Sequence, residues 1–257
     1  MKEFKIGTDI ECFIVNNQNK AINAFNYVKG TKEFPFEWKR GFFTSLDCVL
    51  MEYNTPPTTE LNIFKRDILD SISYLNTLIE ESKSLHISFF PSYELSEDQL
   101  FNPESKIFGC TPDFNAWTEN INSTVSGDDT NLRSAGLHLH FDCNPEDVIP
   151  LIKNLDMFLG IPALVLEPEN ERRNIYGKAG AFRETRYGCE YRHLSSWFQQ
   201  EQYLDFIFKN SKKAFEYTQK GFVADRNIES IINNKDLKTA KEIIKEFNLL
   251  ESYNQNQ

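Results

Sequence analysis

The 257-residue chain is long enough to bury a sizeable core, and 40% hydrophobic, 26% charged and 14% aromatic residues, with 22 phenylalanines, exclude a disordered protein. With 28 basic and 38 acidic residues the formal charge is −10, which argues against non-specific binding to nucleic acid or to an anionic membrane. An anionic substrate fits that charge only where metal ions or a local arginine cluster neutralise it.

The five cysteines (Cys12, Cys48, Cys110, Cys143, Cys189) are scattered, odd in number and never spaced CxxC. That pattern argues against a disulfide framework or a structural zinc site and for reduced, mostly buried thiols. The N-terminus, "MKEFKIGTDIECF", has no basic stretch followed by an apolar one, and no run of about 18 apolar residues is evident. A cytoplasmic protein is expected.

In chain order, "FKIGTDIECFIV" alternates as a strand and ends in turn-like "NNQNK". "CVLMEYN" predicts a second strand, stopped by Thr55-Pro56-Pro57. From Thr58, apolar residues at Leu61, Phe64, Ile68, Ile72, Leu75 and Ile79 predict an amphipathic helix to about Ser84. "HISFFPSYEL" reads as a strand, 96–132 as loop-rich, and "GLHLHFD" as a strand of period two. Asn144-Pro145-Glu146-Asp147 opens a helix to about Leu159. "EYRHLSSWF" predicts another short strand, helices are expected over 201–219 and 226–250, and "SYNQNQ" reads as a frayed tail. No repeat, domain linker, GxGxxG or GxxxxGK[ST] loop is present. One catalytic domain over 1–257 is expected, of class α+β with a mainly antiparallel sheet.

Strand alternation groups the polar residues. Asp9 and Glu11 share a face, as do His138, His140 and Asp142, with Leu137, Leu139 and Phe141 packed behind. Glu190 and Arg192 share a third face, and Cys189 points oppositely, which predicts structural burial. Taken singly, each pair has a plainer reading: a solvated face, hydrogen-bonded histidines or a surface salt bridge. Their company favours a site. "RRNIYGKAGAFRETRYGCEYRHLSSWF" (172–198) carries Arg172, Arg173, Lys178, Arg183, Arg186 and Arg192, a local anion site in an acidic chain. Asp9, Glu11, Glu52 and Glu190 are too many carboxylates to converge without counter-ions. Their hard oxygens favour Mg²⁺, with Mn²⁺ possible beside a histidine. Metal-bound carboxylates beside arginines suit a triphosphate.

"GTDIECF", "GLHLHFD" and "FRETRYGCEYRHLSSWF", in that order, resemble the carboxylate–amine ligases (amidoligases) of the glutamine synthetase / glutamate–cysteine ligase superfamily. "FGCTPDFNAW", "LRSAGLHLHFD", "LDMFLGIPALVLEP" and "YGKAGAFRETRYGCEYRHLSSWF" resemble its phage-type branch. The resemblance covers about 5–200, an amidoligase core, and leaves 201–257 as a C-terminal helical extension. It implies a curved antiparallel sheet forming a glutamine synthetase-like funnel with helices outside. It also implies ATP-dependent, Mg²⁺-dependent ligation through an acyl phosphate, releasing ADP.

Carried over by motif, Glu11, with Asp9 beside it, Glu52, His138 and Glu190 would hold metal. His140 would face the nucleotide phosphates, with Arg173, Lys178 and Arg192 completing the cofactor site. Arg192 would act on the transferred phosphoryl group, with Glu190, Arg183 and Arg186 in the catalytic set. Where close relatives carry Gly-Gly-His-x-His, this chain has Leu137 for the second glycine. The expected partners are small-molecule or peptide carboxylates and amines, chosen by loops within 95–132 and 165–182, with no nucleic acid and no membrane. An oligomer is open, as is location in a host cytoplasm if the protein is phage-encoded. A non-catalytic nucleotide- or peptide-binding relative and an HxH metallohydrolase are the alternatives weighed.

Overall fold

The computed structural model describes residues 2–80, 84–106, 113–123, 130–167, 171–225 and 227–254. Cys110, residues 108–112 of "FGCTPDFNAW" and parts of the 95–132 and 165–182 loops lie outside these residues.

Alternation over eleven residues makes β1 (Ile6–Asn16) the central strand. There follow β2 (Ala21–Ile22), β3 (Phe36–Lys39), β4 (Phe42–Asp47) and β5 (Leu50–Thr58), then helix α1 (Leu61–Glu80). The strand expected over "HISFFPSYEL" is two, β6 (Leu85–Ser88) and β7 (Ser92–Glu94), because Pro91 between them has no N–H for a ladder. Next come β8 (Phe114–Asn115), β9 (Asn120–Ile121), β10 (Leu132–Ser134) and β11 (Leu137–Asp142).

The helix expected to stop near Leu159 runs on. After a 3₁₀ turn it continues as α2 (Val148–Leu155), a π-turn (Asp156–Gly160) and α3 (Ile161–Leu166). Pro162 has no N–H for the Phe158 carbonyl, which accepts from Asn210 Nδ2 at 2.8 Å instead. Pro145–Leu166 is long and apolar enough to cross a membrane by length and composition, a run the sequence reading passed over; 78% of its apolar window is buried inside the protein.

Beyond α4 (Arg172–Ile175), the hairpin β12 (Ala181–Thr185) and β13 (Gly188–Tyr191) leads to α5 (Glu201–Gln219). The helix expected over 226–250 is split into α6 (Asn227–Asn233) and α7 (Leu237–Glu246). Lys235 turns to φ 56°, and Asp236 caps α7 by accepting from the Thr239 N–H. A last turn, α8 (Glu251–Asn254), follows.

The main sheet is open, ordered β3-β4-β5-β1-β11-β13-β12-β8-β9, with β2 and β6 on the far half of β1 and every strand pairing antiparallel. β7 and β10 form a separate ribbon. The fold is α+β with a large, mainly antiparallel sheet, as expected.

Directly opposed residues share a face. The pairs Asp9–His138, Glu11–Glu52, Ser45–Glu52, His140–Glu190 and Arg183–Glu190 therefore gather on one side. Ile10, Leu137, Leu139, Tyr53, Tyr191 and Phe182 fall on the other. That second face packs into one apolar core with Phe64 and Ile68 of α1, Leu151 of α2, and Leu204 and Phe206 of α5. Each fully buried side chain of this size contributes about 1.5–3 kcal/mol. Behind the sheet, the buried Asp156 accepts from Trp117 Nε1 and the Gly180 N–H, both at 2.6 Å, and from the Tyr191 hydroxyl at 2.9 Å. Burial pushes its carboxyl up to about 7 against those donors.

Candidate active site

Two charge clusters lie side by side on the polar face. The first centres on Glu190 at the end of β13. Its carboxylate pairs with Arg192 Nη1, receives Arg183 Nη1 at 3.4 Å and stands 3.2 Å from His138 Nδ1. β13 ends at Tyr191, yet the Arg192 N–H still donates to the Ala181 carbonyl at 3.0 Å, which keeps Arg192 in line with Glu190. The Nε edge of Arg192 pairs with Asp113 Oδ1 at 2.6 Å. His138, Glu190, Arg192 and Asp113 are all buried. Burial, then Arg192 and Arg172, hold the His138 imidazole well below its ordinary value, so it is neutral.

The second cluster is acidic. Glu11 and Glu52 oppose each other across β1 and β5, and Asp47 and Asp9 adjoin them. Glu11 accepts the Gly136 N–H at 2.6 Å. Burial, then the charge of Asp47, pushes the Glu11 carboxyl up to about 7; burial, then Asp47, Asp9 and Glu11, raises Glu52. Lys32 Nζ lies 2.7 Å from Asp47 Oδ2. Burial opposes the lysine's charge, but Asp47, Glu52 and Glu11 outweigh it and raise the ammonium above its ordinary value.

His140 faces a third region. Its Nε2 is 3.0 Å from Asp9 Oδ2 and its Nδ1 2.7 Å from the Tyr187 hydroxyl. Burial lowers its value, and the hydrogen bond and charge of Asp9 more than restore it. Beside it lies a cavity of about 550 Å³ lined by Lys5, Gly7, Asn54, Asp142 and Tyr187 among others.

The structure thus brings together Asp9, Glu11, Glu52, His138, His140, Arg183, Glu190 and Arg192. It does not bring Arg173 there. Consecutive helical residues point about 100° apart, and Arg172 takes the cleft beside Glu11, His138 and Arg192. Arg173 turns to the end of α3, donating to the carbonyls of Ala163 at 3.1 Å and Glu167 at 3.0 Å. Arg186 is exposed at the β12–β13 turn, outside the cluster; its neighbour Tyr187 is the turn residue that reaches His140. Lys178 is exposed at a separate small recess shared with Asp113 and Tyr176.

Leu137 is fully buried on the packed face, so the residue that differs from the relatives' glycine makes no contact on the polar side. The position without spare room is Gly136, where a Cβ would land 2.5 Å from His138 Nε2 and 2.9 Å from Arg172 Nη2. Cys189 is buried with its Sγ 3.8 Å from that of Cys143. Asp47, Asp113 and Tyr187 are site neighbours that the sequence reading missed, and Arg172 was counted in the arginine cluster without a role of its own. Alternation offered a signal for Asp47, two residues after Ser45, which opposes Glu52. Asp113 precedes a two-residue strand and carried none.

The donors fit a hard divalent cation. Glu11, Glu52, Asp9 and Asp47 supply carboxylate oxygens, the charge of Asp47 raises both glutamates, and Asp47 Oδ1 is buried without a hydrogen-bond partner among the described residues. Among the described residues, no three His, Cys, Asp or Glu side chains are already drawn to metal-binding distance.

Residues 116–220 match the model of the family Phage phiEco32-like COOH.NH2 ligase-type 2, about two fifths of the chain. The match bears out the resemblance read from "LHLHF" and "EYRHLSSWF", points to a carboxylate–amine ligase, and extends through α5. No curated protein matches the chain. Solved structures that match include a bifunctional glutathione synthetase from Pasteurella multocida (11% identity, 98% of this chain and 47% of that one, TM-score 0.47). Others are GmaS in complex with ADP (10%, 96% and 65%, TM-score 0.47) and a glutamine synthase homolog (9%, 99% and 66%, TM-score 0.44). The chain spans between about half and two thirds of the length of these structures.

Proposed function

We propose that the chain is an ATP-dependent carboxylate–amine ligase that forms an amide or isopeptide bond through an acyl phosphate and releases ADP. The observation that carries this reading is the single polar face on which the Glu190–Arg192–Arg183–His138 cluster adjoins the Glu11–Glu52 pair.

In this reading Glu11 and Glu52, with Asp9 and the neutral His138 beside them, would hold Mg²⁺, which would supply positive charge against the phosphates. Glu190 and Asp113 hold Arg192 by two edges, so its fork is fixed before substrate arrives. Arg192 and Arg183 then stabilise charge on the phosphoryl group as it passes to the carboxylate. The His140 imidazole, supported by Asp9 and Tyr187, faces the remaining phosphates from the large cavity. Positioning and charge supply the catalysis, and no side-chain nucleophile is used.

The test is a thermal-shift titration with Mg-ATP, followed by an ADP-release screen over amino acids and amines with mass spectrometry of products. Mg-ATP stabilises the protein and one pairing releases ADP. Absence of stabilisation at millimolar nucleotide rules the reading out.

A further inference from the structure

Lys32 stands where the acidic cluster needs a cation. Its ammonium meets Asp47 at 2.7 Å and lines one recess with Asp9 and Glu52. Arg172 and Arg192 act on Glu11, but they are buried and anchored to carbonyls or to Glu190 and Asp113. Lys32 differs from them because its side chain is 42% exposed.

The chain leading into it, by contrast, is pinned. The Leu46 N–H donates to the Gly30 carbonyl at 3.1 Å, the Thr31 N–H to the Phe34 carbonyl at 3.1 Å, and Thr44 Oγ1 to the Lys29 carbonyl at 3.1 Å. Gly30 sits at φ +90°, with a virtual Cβ 2.4 Å from the Phe36 nitrogen, so the turn admits no side chain there. A half-exposed ammonium beside a pinned turn has one movement open to it: the side chain can leave while the turn stays. A strongly hydrated ammonium on a four-carbon stem suits departure better than a guanidinium fork.

We propose that Lys32 is a built-in stand-in for a divalent cation. It neutralises the Asp47–Glu52–Glu11 patch in the metal-free protein and swings to solvent when metal takes the carboxylates. The inference rests on the reading of Glu11 and Glu52 as metal ligands and adds to it a control on affinity. Metal must displace a resident charge, so it binds less tightly than the bare carboxylates would hold it, and the empty site does not repel itself apart.

The experiment is calorimetric titration of the full chain with Mn²⁺ alone, without nucleotide, for the parent, Lys32→Met and Lys32→Arg, with melting temperatures of each metal-free form. Lys32→Met is expected to bind Mn²⁺ about tenfold tighter or more, while its metal-free form melts lower and gains more from Mn²⁺. Lys32→Arg keeps the parent affinity or weakens it. Parent binding with unchanged or weaker affinity in Lys32→Met overturns the stand-in role and leaves the metal reading intact. Absence of Mn²⁺ binding in both parent and Lys32→Met overturns both. Should Lys32→Met fail to fold, Lys32→Gln carries the same expectations.

Discussion

Gly136 and Leu137 are adjacent in the chain and answer to different physics. At Gly136 the atoms nearest to an added methyl group belong to His138 and Arg172, both buried and Arg172 held by two carbonyls, so Gly136→Ala should push both out of place. Its melting temperature is expected to fall, with ATP turnover down about a hundredfold or more. Leu137→Ala should cost about 2–5 kcal/mol in denaturant unfolding with nucleotide affinity retained. Glu190→Ala and Arg192→Ala should each abolish ADP release. Cys189→Ser, on the packed face, should keep it. At this scale alternation made the partition of faces legible: Asp9 with Glu11, His138 with His140, Cys189 against Glu190. What it could not tell was which of two neighbouring arginines turns inward, because that depends on the rotation of the four-residue helix α4. Nor could it tell that Arg186 would remain at a turn tip.

Among the elements, the run α2–π-turn–α3 shows how a helix can outlast its apparent stop. Asp156 inside the π-turn is satisfied by three donors from elsewhere, and Arg173 binds the last carbonyls of α3. Arg173→Ala therefore leaves α3 without its cap and is expected to destabilise the protein by about 1–3 kcal/mol. Mg-ATP affinity by calorimetry should stay unchanged; a large loss would return Arg173 to the nucleotide site. The long amphipathic helix α1 and α5 were plain from spacing. The interruptions at Pro91, Pro162 and Lys235 were harder, since each depends on where a displaced backbone group finds its partner. For the Phe158 carbonyl that partner is Asn210, fifty-two positions away.

For the molecule as a whole, stability should depend on pH through its buried carboxyls. Asp156 rises from 3.8 to about 7 on folding, so it holds its proton more tightly in the folded chain. Its stabilising contribution is complete below about pH 4 and is lost as pH climbs through 7, amounting to at most about 4 kcal/mol. The melting temperature of the metal-free protein should fall from pH 5 to pH 8, and Asp156→Asn should flatten that fall. A slope unchanged by Asp156→Asn would mean that the three donors keep the carboxyl ionised throughout. The class of fold was readable from strands separated by long excursions. The strand order was not, because pairings such as β1 with β11 join segments more than a hundred residues apart, and nothing local records which edges meet.

The central position of β1 imposes a reading frame on the chemistry. Asp9 and Glu11 face the site only because Ile10 between them faces the core, and β5 and β11 are locked to β1 in that register. Removing or inserting one residue between Gly7 and Glu11 would invert everything downstream in the strand, sending a carboxylate into the core and isoleucine onto the polar face. Length variation should therefore be confined to the outlying β8–β9 hairpin and the connecting loops. The first strand should tolerate changes of letter but not of count, and a library of single-residue insertions scored for soluble expression would draw that boundary directly.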